Sequence, residues 1–169
     1  IEVVVEDLEI TLLGIDEINC IDNSIEVTAE TNLNLTLNYQ WTDISGTLEE
    51  GINENQFSFN EAGAYAVSVD FGGLCTTTES FEITENLATY TADIQGITQL
   101  DCNNPEIELT GVSDSPSALF AWFQGANNLG NGTTITVDDP LSYVLTVTNP
   151  SSGCTTSDMV TLTSNFTSP

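Results

Sequence analysis

The stretch Gly63-Ala-Tyr-Ala-Val-Ser-Val69 has the residue alternation of a β-strand. A β-strand turns successive side chains to opposite faces, so Tyr65 and the two valines of the stretch share one face. A second stretch, Ser142-Tyr-Val-Leu-Thr-Val147, has the same alternation. A face of this kind is typical of a strand that packs one side against a core. Both stretches therefore predict strands of a β-sheet protein.

The same landmarks occur twice around these two strands. Each copy has a cysteine, a tryptophan two residues after an aromatic residue, the tyrosine-bearing strand, and a second cysteine before threonines. Every landmark recurs after about 80 residues, which is the signature of an internal repeat. The first copy contains Cys20, Trp41, Tyr65 and Cys75, and the second contains Cys102, Trp122, Tyr143 and Cys154.

The repeat fixes a domain organisation. We expect a first repeat over 8–86 and a second over 87–165. Residues 1–7 are predicted to be the closing strand of a preceding repeat, or a strand donated to a neighbouring chain, and 166–169 the start of a following repeat. We therefore expect the sequence to be a piece of a longer polypeptide.

Short β-rich segments separated by Gly, Asn and Asp indicate the fold class. No stretch has a sustained helical period. The prediction is an all-β fold with two tandem immunoglobulin-like β-sandwich repeats and almost no helix.

The charge of the chain excludes several functions. It has 26 Asp and Glu and no Lys, Arg or His, which gives a formal net charge of -26. Binding to nucleic acid or to an anionic membrane surface needs a positive patch, so neither is expected. Insertion into a membrane is not expected either, because no apolar run approaches about 18 residues. A hydrophobic content of 40% with 15% charged residues nevertheless favours a folded chain over a disordered one.

The order of landmarks also resembles a family. Cysteine, aromatic-x-Trp, Gly-x-Tyr-x-Val-x-Val and Cys-Thr-x-Thr together resemble the SprB-type and PKD-like immunoglobulin-like repeats of large adhesins on gliding bacteria. The resemblance covers landmarks in both repeats, and hence most of the chain. The resemblance implies a secreted or cell-surface protein with an adhesive or structural role, and it does not indicate a ligand.

The four cysteines are candidate disulfide partners. One pair per repeat at matched places favours disulfides formed in an oxidising compartment, and hence an extracellular or cell-surface location. Four cysteines permit three pairings. We expect Cys20–Cys75 and Cys102–Cys154, because a self-contained repeat would close its own disulfide. Reduced core cysteines and a zinc site are the alternatives.

The aromatic landmarks have two interpretations. Trp41 and Trp122 are each preceded at i−2 by another aromatic residue, and a pair with this spacing lies on one face of a sheet. We predict that both tryptophans, together with Tyr65 and Tyr143, are core aromatic residues. Alternatively, the tryptophans are platforms for a carbohydrate.

The carboxylates suggest one metal hypothesis and no catalytic residue. A Ca²⁺ site takes six to eight oxygen ligands, and the repeat junctions offer Glu6, Asp7, Glu85 and Asn86. General screening by cations is the simpler interpretation, and no cofactor is required. A catalytic triad needs a histidine that this chain does not contain, so no catalytic residue is assigned and an enzyme is not expected.

Three functional hypotheses remain. The first is a non-catalytic structural or adhesive repeat segment of a secreted bacterial adhesin, stalk or filament. Its partners would be neighbouring repeats of the same polypeptide, and in a filament other copies. The second is a carbohydrate-binding β-sandwich module of a secreted protein. The third is a subunit of a polymeric surface filament that donates Ile1–Val5 as a strand.

Overall fold

The computed structural model describes residues 7–33, 36–43 and 54–166. All regular secondary structure in these ranges is β-strand. No helix able to span a membrane occurs in this part of the chain. The prediction of an all-β fold is confirmed. The chain divides into two compact units, Ile1–Asn86 and Leu87–Pro169, and each is described by itself.

Unit 1 is a sandwich of two sheets. Its seven strands among the described residues are β1 (Ile10–Leu13), β2 (Glu17–Asn19), β3 (Ile25–Thr31), β4 (Asn38–Asp43), β5 (Gln56–Phe59), β6 (Gly63–Phe71) and β7 (Cys75–Asn86). One sheet has the order β1-β3-β5, and the other has the order β2-β7-β6-β4. All pairs are antiparallel except β2–β7, which is parallel.

The core of unit 1 follows from the alternation of β6. Tyr65, Val67 and Val69 are buried on one face, as the period of two requires. Trp41 of β4 lies opposite Val67, and its ring is at 5.8 Å from that of Phe59 and 6.0 Å from that of Phe81. Edge-to-face contacts of this kind stabilise a core beyond the area that they bury.

Unit 2 repeats this architecture with nine strands among its described residues. They are β8 (Asp93–Gln95), β9 (Gln99–Asp101), β10 (Ile107–Val112), β11 (Leu119–Gln124), β12 (Asn127–Gly130), β13 (Thr134–Val137), β14 (Ser142–Thr148), β15 (Thr155–Thr161) and β16 (Thr163–Asn165). The sheets have the orders β8-β10-β13 and β12-β11-β14-β15, and β9 pairs in parallel with β16. Tyr143, Leu145 and Val147 of β14 are buried around Trp122.

A glycine lies at the same place in both units, between the first two strands, where the chain leaves one sheet for the other. Gly14 has φ +84° and Gly96 has φ +147°, a region that L side chains rarely adopt. A Cβ on Gly96 would lie 2.9 Å from the carbonyl oxygen of Glu108, and a Cβ on Gly14 would clash with that of Glu26. Only glycine fits this crossing without strain.

Several predicted features fall outside the described residues. Of the segment 1–7, only Asp7 is described, and of 166–169 only Phe166. The closing strand, the donated strand Ile1–Val5 and the start of a following repeat therefore stay predictions.

Candidate functional site: the cysteine turns

Cys20 lies in a tight turn directly after β2. The Oδ1 atom of Asn19 accepts hydrogen bonds of 2.8 Å from the backbone N–H groups of Ile21 and Asp22. The N–H of Asn19 donates to the carbonyl of Asp22 at 2.9 Å. An Asx turn of this kind fixes the backbone with a side-chain acceptor. It leaves Cys20 exposed at the loop.

Cys102 lies in the same turn of unit 2. The Oδ1 atom of Asp101 accepts hydrogen bonds of 2.8 Å from the N–H groups of Asn103 and Asn104. These bonds, first that from Asn104 and then that from Asn103, hold the pKa of Asp101 below its ordinary value, because they stabilise the ionised carboxylate. Cys20 and Cys102 are therefore equivalent in structure as well as in sequence.

The other two cysteines lie at the turn before the last long strand of each unit. Cys75 is the first residue of β7, and it faces Phe71 across a turn that the carboxylate of Asp70 closes by accepting from the N–H of Gly73 at 2.9 Å. Cys154 immediately precedes β15, and its carbonyl accepts from the N–H of Asn149 at 2.9 Å. Each turn follows the strand that carries the buried tyrosine.

The cysteine pairing predicted from the sequence is wrong. Cys20 and Cys154 are disulfide-bonded, whereas Cys75 and Cys102 are free and exposed. Each predicted pair, Cys20–Cys75 and Cys102–Cys154, contains one free thiol and does not form.

The reason is the direction of the strands. β2 runs parallel to β7 and pairs with its C-terminal end, so Cys20 lies near Asn86, while Cys75 begins the same 12-residue strand. At roughly 3.3 Å per residue the two cysteines are separated by about 36 Å, and a disulfide needs Cα atoms within about 7 Å. In unit 2, β9 directly precedes Cys102 and pairs with β16. Because β15 separates Cys154 from β16, Cys102 and Cys154 are also far apart.

Both tryptophans are fully buried. Trp41 and Trp122 are 0% exposed. The indole N–H of Trp41 donates to the carbonyl of Glu54 at 2.9 Å, and that of Trp122 donates to the carbonyl of Gly132 at 2.9 Å. Because stacking on a sugar needs an exposed ring face, neither tryptophan is a carbohydrate platform.

The buried tyrosines form the same corner in both units. The hydroxyl of Tyr65 donates to the carbonyl of Glu61 at 2.9 Å, and that of Tyr143 donates to the carbonyl of Asp139 at 3.0 Å. Burial raises the pKa of both tyrosines, and the carboxylates of Glu61 and Asp139 raise it further. A tyrosine that bonds back to the backbone just upstream is a hallmark of immunoglobulin-like sandwiches.

The described residues contain no cluster of carboxylates that would support the calcium hypothesis. Asp7 is exposed, and its carbonyl accepts from the side-chain amide of Asn32 at 2.8 Å. Glu85 and Asn86 end β7. Within the described ranges no group of three or more His, Cys, Asp or Glu could hold a metal ion. Glu6 lies outside those ranges, so the junction site stays a prediction.

Two structural features were missed from the sequence. Asn149 and Ser152, both polar and buried in the described part of unit 2, donate to the carbonyl of Ala88 at 2.9 and 2.6 Å. They fasten the turn before Cys154 to the start of that unit. The crossing glycines were also missed, although Gly14 and Gly96 have the same spacing as Cys20 and Cys102.

The comparisons with known proteins show the fold alone. No protein-family model matches the chain, and neither does any curated protein. It is similar to the three N-terminal domains of the bacteriophage RB49 highly immunogenic outer capsid protein, with 17% identity and a TM-score of 0.50 over 93% of this chain and 58% of that one. It is also similar to murine CEACAM1b, with 13% identity and a TM-score of 0.44, over 94% of this chain and all of the other.

The phage protein and the internal geometry agree on one architecture. The chain has an immunoglobulin-like β-sandwich fold. It spans 58% of the phage structure that it matches.

Proposed function

We propose that the chain is a non-catalytic structural and adhesive repeat segment of a secreted bacterial surface protein, an adhesin, stalk or filament. One observation carries this proposal: what the two units share is scaffold. The buried tryptophan with its bonded indole N–H, the tyrosine corner and the crossing glycine all recur. All of them hold a sandwich together, and none of them offers a surface that binds a ligand.

The chemistry of the side chains supports a passive role. A catalytic serine or threonine hydroxyl is usually activated by a histidine or lysine base, and the chain contains neither residue. The surface instead carries dispersed carboxylates. A net charge of -26 keeps such a segment soluble and discourages lateral association with other acidic surfaces.

The disulfide-bonded cysteines support a location outside the cytoplasm. Disulfides persist in oxidising compartments and are rare in the cytosol. The similar phage protein is named as an outer capsid protein, so this fold serves at an exposed surface there. The SprB-type and PKD-like resemblance supports the finer assignment to a cell-surface adhesin whose partners are neighbouring repeats.

The test is labelling of intact source cells with antibodies raised against the purified chain. We expect labelling without permeabilisation, and its loss after brief treatment with an external protease. A cytoplasmic protein labelled in parallel is the control for cell integrity. Labelling that appears only after permeabilisation would overturn the proposal.

A glycan array tests the competing carbohydrate-binding module. With both tryptophans buried, we expect no saturable binding of the purified chain. Binding to one class of glycan would favour the module instead.

A further inference from the structure

Two thiols are unused in this fold although their counterparts are bonded. Cys75 and Cys102 are free and exposed. Cys102 has the position of Cys20, and Cys75 has the position of Cys154, both of which are disulfide-bonded. The two units can therefore be compared with each other. Each cysteine position forms a disulfide in one unit and carries a free thiol in the other.

The cysteines belong to two structural types. The first type, Cys20 and Cys102, follows a three-residue strand in an Asx turn. The second type, Cys75 and Cys154, lies at the turn before the last long strand. One cysteine of each type is bonded, and one of each type is free.

From this symmetry we infer that Cys102 and Cys75 are linking thiols, each forming a disulfide with a cysteine of the other type on another repeat. In a chain of repeats, Cys102 would bond to a Cys75-type thiol, and Cys75 to a Cys102-type thiol. This inference rests on the proposed function for the presence of further repeats. A second copy of the chain offers the same two thiols and serves as the partner in the test.

The surroundings of Cys75 favour contact with another surface. Leu74 lies beside it in the turn and is 81% exposed, more than any other large apolar side chain among the described residues. Covering an exposed apolar side chain with a partner surface removes it from water, which lowers the free energy.

The chemistry balances with a low-molecular-weight disulfide as oxidant, for example oxidised glutathione. The thiolate of Cys102 attacks a sulfur of oxidised glutathione, which releases one reduced glutathione and leaves a mixed disulfide. The thiolate of Cys75 on the partner then attacks the protein sulfur and releases the second glutathione. Two thiols lose two electrons and two protons, and one disulfide of the oxidant is reduced.

The test uses two single variants of the full chain, Cys75→Ser and Cys102→Ser. Each is incubated alone, and both are mixed in equal amounts, with oxidised and reduced glutathione at high salt. High salt is needed because two chains of net charge -26 repel each other. Covalent dimers are counted by non-reducing electrophoresis and their linkages mapped by mass spectrometry.

We expect the mixture to yield at least about tenfold more covalent dimer than either variant alone, linked between Cys102 of one chain and Cys75 of the other. Equal dimer in all three samples would show unspecific oxidation of exposed thiols and overturn the inference. No dimer in the mixture would overturn it as well. Neither result bears on the labelling of intact cells, so failure here and failure of the proposed function are distinguishable.

Discussion

Asn19 of β2 lies directly opposite Asn86 of β7 in a parallel pair. This register brings the short strand β2 to the C-terminal end of the 12-residue strand that Cys75 begins. Cys20, the next residue after Asn19, is therefore remote from the other cysteine of its own repeat. This pairing and its counterpart in unit 2, where Asn165 lies opposite Asp101, explain why neither repeat closes a disulfide between its own two cysteines.

The first prediction concerns that redox state. If the purified, folded chain is unfolded in denaturant with iodoacetamide and no reductant, we expect Cys75 and Cys102 to be alkylated. Cys20 and Cys154 should react only after reduction, because both are disulfide-bonded. Peptide mass spectrometry measures both sets. A peptide joining Cys20 to Cys75 would contradict the strand directions described above.

The second prediction concerns the tyrosine corner. Tyr143→Phe removes the hydroxyl that makes this part-buried hydrogen bond, and it leaves the carbonyl of Asp139 without its donor. We expect a loss of about 1–1.5 kcal/mol in the free energy of unfolding, measured by urea titration.

Tyr90→Phe is the matched control in the same unit. The hydroxyl of Tyr90 makes an exposed bond of 3.1 Å with that of Ser117, where water can replace either partner. The change should therefore be within about 0.5 kcal/mol. Equal losses in the two variants would show that the corner has no special role.

The third prediction concerns acid. The N–H donors of Asn104 and Asn103 lower the pKa of Asp101 in the folded state. The ionised carboxylate therefore stabilises the fold at pH values above the ordinary pKa of 3.8. That contribution is lost as the pH falls through the folded-state pKa. Asp101→Asn keeps the acceptor oxygen, as Asn19 does in unit 1, and removes the titration.

The measurement is the melting temperature between pH 6 and pH 3. We expect the melting temperature of the wild type to fall further over this interval than that of Asp101→Asn. Glu108→Gln, which removes one charge from an exposed position, controls for the change in net charge. If both variants behave alike, the turn at Cys102 is not stabilised by the carboxylate.

The fourth prediction concerns the crossing between sheets. Gly96→Ala places a methyl group 2.9 Å from the carbonyl oxygen of Glu108, at φ +147°. We expect a loss of about 2–4 kcal/mol in the free energy of unfolding. Gly125→Ala is the control, since Gly125 also has positive φ but a Cβ there meets nothing within 4 Å. The control should lose only about 1 kcal/mol.

The sequence was informative where a pattern has a local cause. The alternation around Tyr65 and Tyr143 places side chains on one face of a strand, whatever the rest of the chain does, and both strands were predicted from it. The cysteine pairing depends instead on which end of β7 receives β2. A three-residue strand such as β2 has too few residues to show a period. The chain crosses between the sheets just before β2, and the sequence did contain a signal for this crossing. Gly14 and Gly96 are separated by the same number of residues as Cys20 and Cys102.

An immunoblot tests whether this chain is a repeat segment of a larger surface polypeptide. Surface proteins of the source cells are fully reduced, denatured in detergent and probed with antibody against the purified chain. We expect a band far heavier than the 18.1 kDa of this chain, because covalent repeats stay joined after reduction. A single band near 18.1 kDa would contradict it, since the segment would then be a separate subunit.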